Sequence, residues 1–214
     1  MRGIHKASAA ILAVGLAGSM AACSSSGGGA KKPVGEFKTL SGNSTSVKLD
    51  PGFVAALTKL KLTPAPTGTA KIGTDGVASF PITGGNAKIY KKGAVTPYVQ
   101  GKIIHDGSGL SLTSGATKVE MKNFVVNPGN KSDLTGEVDV NGKVFAKSVK
   151  LFDLDGSTLK TPTISKAGIA TLTGTTVYLS KEAAGALNKV FKTNALAGNM
   201  KVKIGVATIM ATGK

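Results

Sequence analysis

The residues that could carry chemistry in this sequence are few. The 214-residue chain has one cysteine, Cys23, and two histidines, of which His5 lies in the N-terminal leader. His105 alone is too little for a multi-histidine zinc site, and no free thiol remains for a cysteine–histidine pair. A serine–histidine–aspartate site would have to use His105, yet no G-x-S-x-G turn is present. The carboxylates of 153–156 (DLDG) lack the partners of a calcium loop and indicate a turn, so the sequence favours a non-enzymatic protein without a metal site.

Cys23 is the most specific chemical feature. Residues 1–22 have the basic start, short apolar run and small final residues of a signal peptide. The segment Met20-Ala21-Ala22-Cys23 resembles the lipobox of bacterial lipoproteins, and Cys23 has no second cysteine with which to form a disulfide. The sequence therefore predicts lipid attachment at Cys23 and a cell-membrane protein on the extracytoplasmic face. A plain signal peptide followed by an incidental cysteine is the alternative.

Three segments follow from this interpretation. Residues 1–22 are the signal peptide, and residues 23–36 are the lipidated cysteine with a Gly/Ser/Lys-rich tether. Residues 37–214 form one domain, which is long enough to bury a full core. Since the apolar run of the leader is shorter than the ~20 residues that cross a bilayer, attachment depends on acyl chains at Cys23.

The charge is strongly basic, with 27 basic against 11 acidic residues, but Arg2 is the only arginine. Readers of nucleic acid rely on arginine and on stacked aromatic rings, and aromatic residues make up 5% of this chain. We therefore expect no nucleic-acid partner. The lysines alternate with apolar residues, as expected of a solvated sheet face, and salt-sensitive attraction to anionic lipid or wall polymer is the functional alternative.

The elements that must position these residues are mostly strands. Short alternating runs separated by Gly, Asn, Asp and Ser predict an all-β fold, a two-sheet β-sandwich of about ten strands. Asn141-Gly142 predicts a tight hairpin, and Val119 and Met121 are expected on the dry face of their strand. The predicted strands are 45–49, 69–72, 77–82, 98–105, 109–113, 117–126, 134–140, 143–151, 168–173, 176–179 and a last one with Met200, Val202, Ile204 and Val206 inward.

Two short helices complete the predicted domain, at Asp50–Leu60 and Ser180–Phe191. Each begins at a capping residue and continues with apolar residues at three- and four-residue spacing. The segments Ser46–Lys61 and Thr176–Phe191 also align with each other, so that the capping residues Asp50 and Ser180 coincide. This internal similarity indicates either two equivalent strand–helix units or chance between segments of similar composition.

The segment Gly101–Leu112 (GKIIHDGSGLSL) places His105 in a Gly-rich context before a Leu-x-Leu strand. Together with 79–85 (SFPITGG) and the terminal helix and strand, it resembles HtaA-type domains of exported actinobacterial lipoproteins. That resemblance implies a β-rich domain that binds haem, with a tyrosine on the iron and a histidine supporting it. His105 matches the family histidine. The segment that corresponds to the family's aromatic stretch has no tyrosine, which leaves Tyr98 and Tyr178 as the candidate ligand-binding tyrosines, besides Tyr90.

Two simpler interpretations accompany these site residues. His105 could be a partly exposed turn residue, and the tyrosines could be packing residues at a sheet margin. Tyr98 and His105 are seven residues apart, so an unbroken strand would place them on opposite faces.

The sequence thus predicts a non-enzymatic, lipid-anchored envelope protein with a ligand-binding domain, and haem is the candidate cofactor. The alternative is a structural or adhesive envelope protein that contacts wall polymer or another protein without a cofactor. A hydrolase with an unrecognised site is a third hypothesis.

Overall fold

The computed structural model describes residues 31–198 and 202–214. The predictions for the signal peptide, Cys23 and Met200 therefore lie outside the described residues. Within this part, 13 strands and two α-helices account for most of the chain. The strands are β1 (Gly35–Phe37), β2 (Leu40–Leu49), β3 (Thr63–Gly68), β4 (Lys71–Ile72), β5 (Val77–Pro81), β6 (Gly84–Ile89), β7 (Val99–Ser114), β8 (Thr117–Asn127), β9 (Asp133–Val140), β10 (Lys143–Asp155), β11 (Thr163–Ile164), β12 (Ala170–Leu179) and β13 (Lys203–Gly213), and the helices are α1 (Pro51–Lys59) and α2 (Lys181–Val190).

Eleven of the described strands follow one another in a single sheet in the order β1-β6-β7-β8-β9-β10-β12-β13-β2-β5-β4, while β3 pairs with β7 and β11 with β12. Every pairing of these strands is antiparallel. The sheet curls until it meets itself, because β5 on one side runs directly into β6 on the other. The two linking amides continue the pairing on both sides: the Ile82 N–H donates to Asn43 O and the Thr83 N–H to Ile104 O, each at 2.9 Å. The predicted all-β fold with two short helices is confirmed. The described strands belong to one curled sheet of 13 strands, where the sequence predicted two sheets of about ten strands.

The strand register gives the curled sheet two distinct ends. One end, here called the loop end, carries the connections 90–98, 128–132 and 156–169. Asn127 pairs with Asp133, which pairs in turn with Asp153, so the last two connections leave the sheet at one level. The other, here called the helix end, carries α1, α2 and the tight turns at 115–116 and 141–142. The helices therefore cover only one of the two ends.

The core contains two clusters of buried apolar side chains. The larger joins the sheet to both helices through residues such as Leu57 and Leu187, and the smaller lies under β1, β6 and β7, around Ile89 and Ile103. Across the interior, Phe80 of β5 meets Phe124 of β8 edge to face, with ring centroids 5.3 Å apart. These two strands are not hydrogen-bonded to each other, so the contact joins them through their side chains alone.

Both predicted helices are confirmed, with their caps. The Asp50 carboxylate accepts from Gly52 N and the Ser180 hydroxyl accepts from Ala183 N. Each helix follows a strand, β2 or β12, and both strands pair with β13 from opposite sides. The aligned segments of the sequence thus occupy equivalent strand–cap–helix positions in the described fold.

Several strands differ from prediction. The two runs predicted at 98–105 and 109–113 form the single strand β7, and β6 and the proline-containing β3 were not predicted. In the last strand Ile204 is buried but Val206 is not, because a register irregularity beside Gly205 changes which side chains face inward. Strand β1 begins at Gly35, so it includes the last residues of the predicted tether.

Ser180 offers a test of this architecture. Its hydroxyl is 0% exposed, caps α2 and also donates to Lys150 O at 2.6 Å. We expect Ser180→Ala to lower the free energy of unfolding by about 2 kcal/mol, because a cap and a buried hydrogen bond are both lost. Urea unfolding measures this. The matched change Ser165→Ala, at an exposed turn hydroxyl that accepts from Ile169 N, should change it by less than about 0.5 kcal/mol; equal effects would contradict the assignment.

Candidate functional site

The interior of the curled sheet is not filled by its own side chains. A cavity of about 730 Å³ lies between the walls, and most of its lining is apolar. Volumes of this size are typical of small-molecule sites. The inward-facing lining includes Val47, Ala78, Phe80, Leu110, Phe124, Val126, Leu134, Phe152, Leu172, Val177, Ala207 and Ile209.

The cavity opens at the loop end. Its solvent-exposed lining residues, Thr96, Asn130, Lys131, Gly156 and Ser157, all belong to the connections at that end. The helix end is covered by α1 and α2 with the larger core cluster beneath them. A ligand of the cavity would therefore enter between the loops.

His105 lies in the cavity wall and is 1% exposed. Its Nδ1 is 3.2 Å from Phe124 O and its Nε2 is 2.7 Å from Thr45 Oγ1. Because a carbonyl only accepts, Nδ1 carries the proton and Nε2 accepts from the Thr45 hydroxyl. Burial lowers the pKa of His105 to about 4, against the opposing effects of Phe124 O and Asp106. The ring is therefore neutral, and both nitrogens are satisfied.

This environment overturns the simpler interpretation of His105. The prediction of a partly exposed turn residue is wrong, because His105 is a buried residue of β7. The Gly-rich stretch that suggested a turn instead forms an irregularity within the strand, between His105 and Gly109. There the Gly107 N–H donates to Asn123 Oδ1 and the Ser108 hydroxyl donates to His105 O.

Tyr98 also lines the cavity. Its hydroxyl is buried and has no hydrogen-bond partner in the part of the chain that the structure describes. Burial raises the pKa of Tyr98. The expectation that Tyr98 and His105 face opposite ways does not hold, because Tyr98 precedes the first residue of β7 and strand alternation does not fix its direction.

The other candidate tyrosines are placed elsewhere. Tyr178 lies on β12 between the buried Val177 and Leu179 and is absent from the cavity lining. Since Val177 lines the cavity, alternation places Tyr178 on the outer face. Tyr90 follows β6 and likewise contributes nothing to the lining. The structure thus brings Tyr98 and His105 to one cavity and leaves Tyr178 outside it.

Sequence reasoning missed Thr45, the partner of His105. The two are 60 positions apart, and Thr45 was predicted only as the first residue of a strand. The sign of its role is a hydroxyl that faces inward among apolar side chains. This is recognisable only once the register of β2 is known. Thr45 is 5% exposed, so its hydroxyl needs the partner that His105 provides.

The cavity lining also includes the charged residues Lys150 and Asp153. Lys150 pairs with Asp153 at 2.9 Å and with Glu182 at 3.6 Å, and these carboxylates raise its pKa, the Asp153 hydrogen bond most. Among residues 31–198 and 202–214, no three His, Cys, Asp or Glu side chains come together to hold a metal ion. In the same ranges, no helix is long and apolar enough to cross a membrane.

The fold matches a solved structure, the crystal structure of the C-terminal domain of HtaA from Corynebacterium glutamicum. The TM-score is 0.52, and the match covers 83% of this chain and 98% of that chain at 12% identity. The chain has an HtaA-type fold. The resemblance seen in the sequence is therefore confirmed at the level of the fold.

A second similar structure is the domain-swapped dimer of the H434A variant of the same HtaA domain, with a TM-score of 0.44, 13% identity and coverage of 77% of this chain and 94% of that chain. No family model matches the sequence, and no curated protein is significantly similar to it. At these identities the likeness concerns the HtaA-type fold alone.

The buried, neutral His105 predicts a specific pH dependence. The free energy of unfolding should fall as the pH is lowered from about 6.5 to about 4, because unfolded His105 takes up a proton in that range while the folded ring does not. The contribution of His105 to the free energy of unfolding is about 3 kcal/mol. It is fully present above pH 6.5 and is lost once the pH has fallen to about 4. Urea unfolding at several pH values measures the slope.

The control is His105→Gln, which cannot take up the proton. The variant should lose the part of the slope between pH 6.5 and 4 that His105 supplies, while any contribution of carboxylates remains in both proteins. Parallel pH profiles for the two proteins would show that His105 is not held neutral.

Proposed function

We propose that this protein is a non-enzymatic binding protein whose HtaA-type domain holds one largely apolar ligand in the cavity. The observation that carries the proposal is the combination of an apolar cavity of about 730 Å³ with a buried Tyr98 hydroxyl that lacks a partner among the described residues. Ligand sites are typically apolar with a few polar groups that fix orientation. Tyr98 is the group suited to that role.

Haem is the specific candidate ligand, as the HtaA resemblance implies. When bound, haem would supply an iron atom that takes oxygen or nitrogen ligands, and tyrosine is one of the protein ligands it accepts. The residues fit: Tyr98 has a free hydroxyl in the described structure, and the apolar walls suit a flat hydrophobic macrocycle. We assign Tyr98 as the residue that would hold the iron.

His105 has a different role in this proposal. Both of its ring nitrogens already have partners, Phe124 O and the Thr45 hydroxyl. The ring therefore braces β7 against β2 and keeps the cavity wall in shape. His105 is a positioning residue, which agrees with the supporting role that the resemblance implies.

The absence of enzymatic activity remains part of the proposal. A general base must exchange a proton near the working pH, and burial lowers the pKa of His105 to about 4. Its nitrogens are also occupied by the protein itself. These properties support binding over catalysis.

We also propose that the protein is attached to the extracytoplasmic face of the cell membrane through acyl chains on Cys23. The support comes from the sequence: a signal peptide, a lipobox-like Met20-Ala21-Ala22-Cys23 and a Gly/Ser-rich tether. Two acyl chains give stable membrane attachment where one is marginal.

Haemin titration tests the ligand. The domain should produce a new Soret band with one equivalent of haemin, and Tyr98→Phe should raise the Kd at least ~10-fold, which corresponds to about 1.4 kcal/mol, because the iron loses its oxygen ligand. Tyr178→Phe is the matched control and should bind like the wild type, since Tyr178 does not line the cavity.

The outcomes separate three explanations. If both variants bind equally well, Tyr98 is not the iron ligand. If no protein changes the haemin spectrum but an apolar fluorescent dye still binds, and Leu134→Trp in the cavity lining abolishes that binding, the ligand is apolar but is not haem. If neither probe binds, the cavity has no ligand, and salt-sensitive retention on wall polymer would then favour the structural or adhesive alternative.

Metabolic labelling tests the anchor. Labelled palmitate should be incorporated into the wild type and not into Cys23→Ala, because Cys23 is the only thiol in the chain. The wild type should fractionate with membranes and Cys23→Ala should be released. An unlabelled wild type, or a Cys23→Ala variant that is exported and stays with the membrane, would refute lipid attachment.

A further inference from the structure

The mouth of the cavity and the start of the described domain lie at the same end of the molecule. The Val34 N–H donates to Ile89 O, and Gly35 pairs with Ile89, which pairs in turn with Val99. Tyr98, in the cavity lining, immediately precedes Val99. The chain therefore reaches the sheet at the loop end, beside the opening.

The segment between Cys23 and Val34 is short. A Gly/Ser-rich coil of about ten residues has an average end-to-end distance of roughly 17 Å. A ten-residue strand such as β2 is about 33 Å long. A domain held by this tether would therefore keep its loop end nearer the bilayer than its helix end.

The surface beside this point has the character of a membrane contact. Val34 is 61% exposed and Ile164 is 37% exposed. Ile164 packs directly against Gly35, the residue that follows Val34. Exposed lysines of the same end, Lys32 and Lys166, make no ion pair within the described ranges. Apolar side chains flanked by lysine suit an anionic bilayer surface.

We infer that the loop end is the membrane-facing end of the anchored protein and rests on the anionic bilayer, so that the cavity exchanges its ligand with the membrane. This inference depends on the proposed anchor at Cys23 and on ligand binding in the cavity. It adds an orientation, a contact surface formed by Val34, Ile164 and the neighbouring lysines, and a route for the ligand.

The competing surface is at the helix end. Val144 and Phe145 are 55% and 60% exposed on the β9–β10 hairpin, close to the turn at 141–142. These side chains are at least as apolar as the pair at the loop end, but they lie at the end of the sheet away from Val34. They therefore provide the control surface for the test.

Site-specific labelling of the full lipidated chain tests the orientation. The only native cysteine is Cys23, which the anchor would block, so Lys166→Cys and Lys143→Cys each accept one environment-sensitive dye. In phosphatidylglycerol vesicles that contain nitroxide-labelled lipid, the dye at position 166 should be quenched at least ~3-fold more than the dye at position 143. Equal quenching, or stronger quenching at position 143, would overturn the inference.

Ligand transfer tests the route. Val34→Ser with Ile164→Ser should slow haemin uptake from haemin-loaded vesicles at least ~3-fold and leave the Kd for haemin in solution unchanged. The matched double change Val144→Ser with Phe145→Ser should leave uptake unchanged. Equal uptake by all three proteins would show that the loop-end contact does not serve transfer.

These results can be told apart from failure of the proposed function. A protein that takes up a second dye at Cys23 and does not float with vesicles lacks the anchor. A protein that floats but does not change the haemin spectrum lacks the ligand, and quenching still reports its orientation. The orientation is refuted only when an anchored protein shows equal or reversed quenching.

Discussion

The joint between β5 and β6 is the constraint on which the rest of the structure depends. At this joint the chain passes from β5, which pairs with β2, into β6, which pairs with β7. The Thr83 N–H donates to Ile104 O at 2.9 Å, and the Thr83 hydroxyl accepts from Asp106 N at 2.8 Å. These bonds hold the two sides of the curled sheet together without a further strand. A sheet that closes in this way must either fill its interior or enclose a space.

The two helices decide where that space communicates with solvent. Each helix leaves a strand through a capped first turn and packs its apolar residues onto the larger core cluster. Both lie at the helix end, and the solvent-exposed lining residues of the cavity lie at the loop end. The two strand–cap–helix segments are equivalent, and their strands both pair with β13. Each segment therefore places its helix at the same end of the sheet.

Local features of the fold could be predicted from the sequence, and features that depend on distant pairing could not. The caps Asp50 and Ser180 and the turn at Asn141-Gly142 act within a few residues, and all three are found as predicted. Strand β3 contains two prolines, so its composition does not predict a strand. It forms because its residues pair with β7 along their whole length. Likewise, His105 and Thr45 meet only because the sheet closes. The cavity follows from the same closure, so the sequence indicated its candidate residues without indicating the space between them.

The contrast between His105 and Tyr98 decides which group of the cavity is available to a ligand. A buried polar group without a partner costs about 1–3 kcal/mol, whereas a satisfied one costs little. His105 has used both nitrogens within the protein, so a ligand that displaced Thr45 or Phe124 would gain one bond and lose another. The Tyr98 hydroxyl has no such bond to lose in the described structure. A ligand atom that pairs with it relieves a cost already present in the folded state. Tyr98 is therefore the polar group of the cavity that is most available to a ligand.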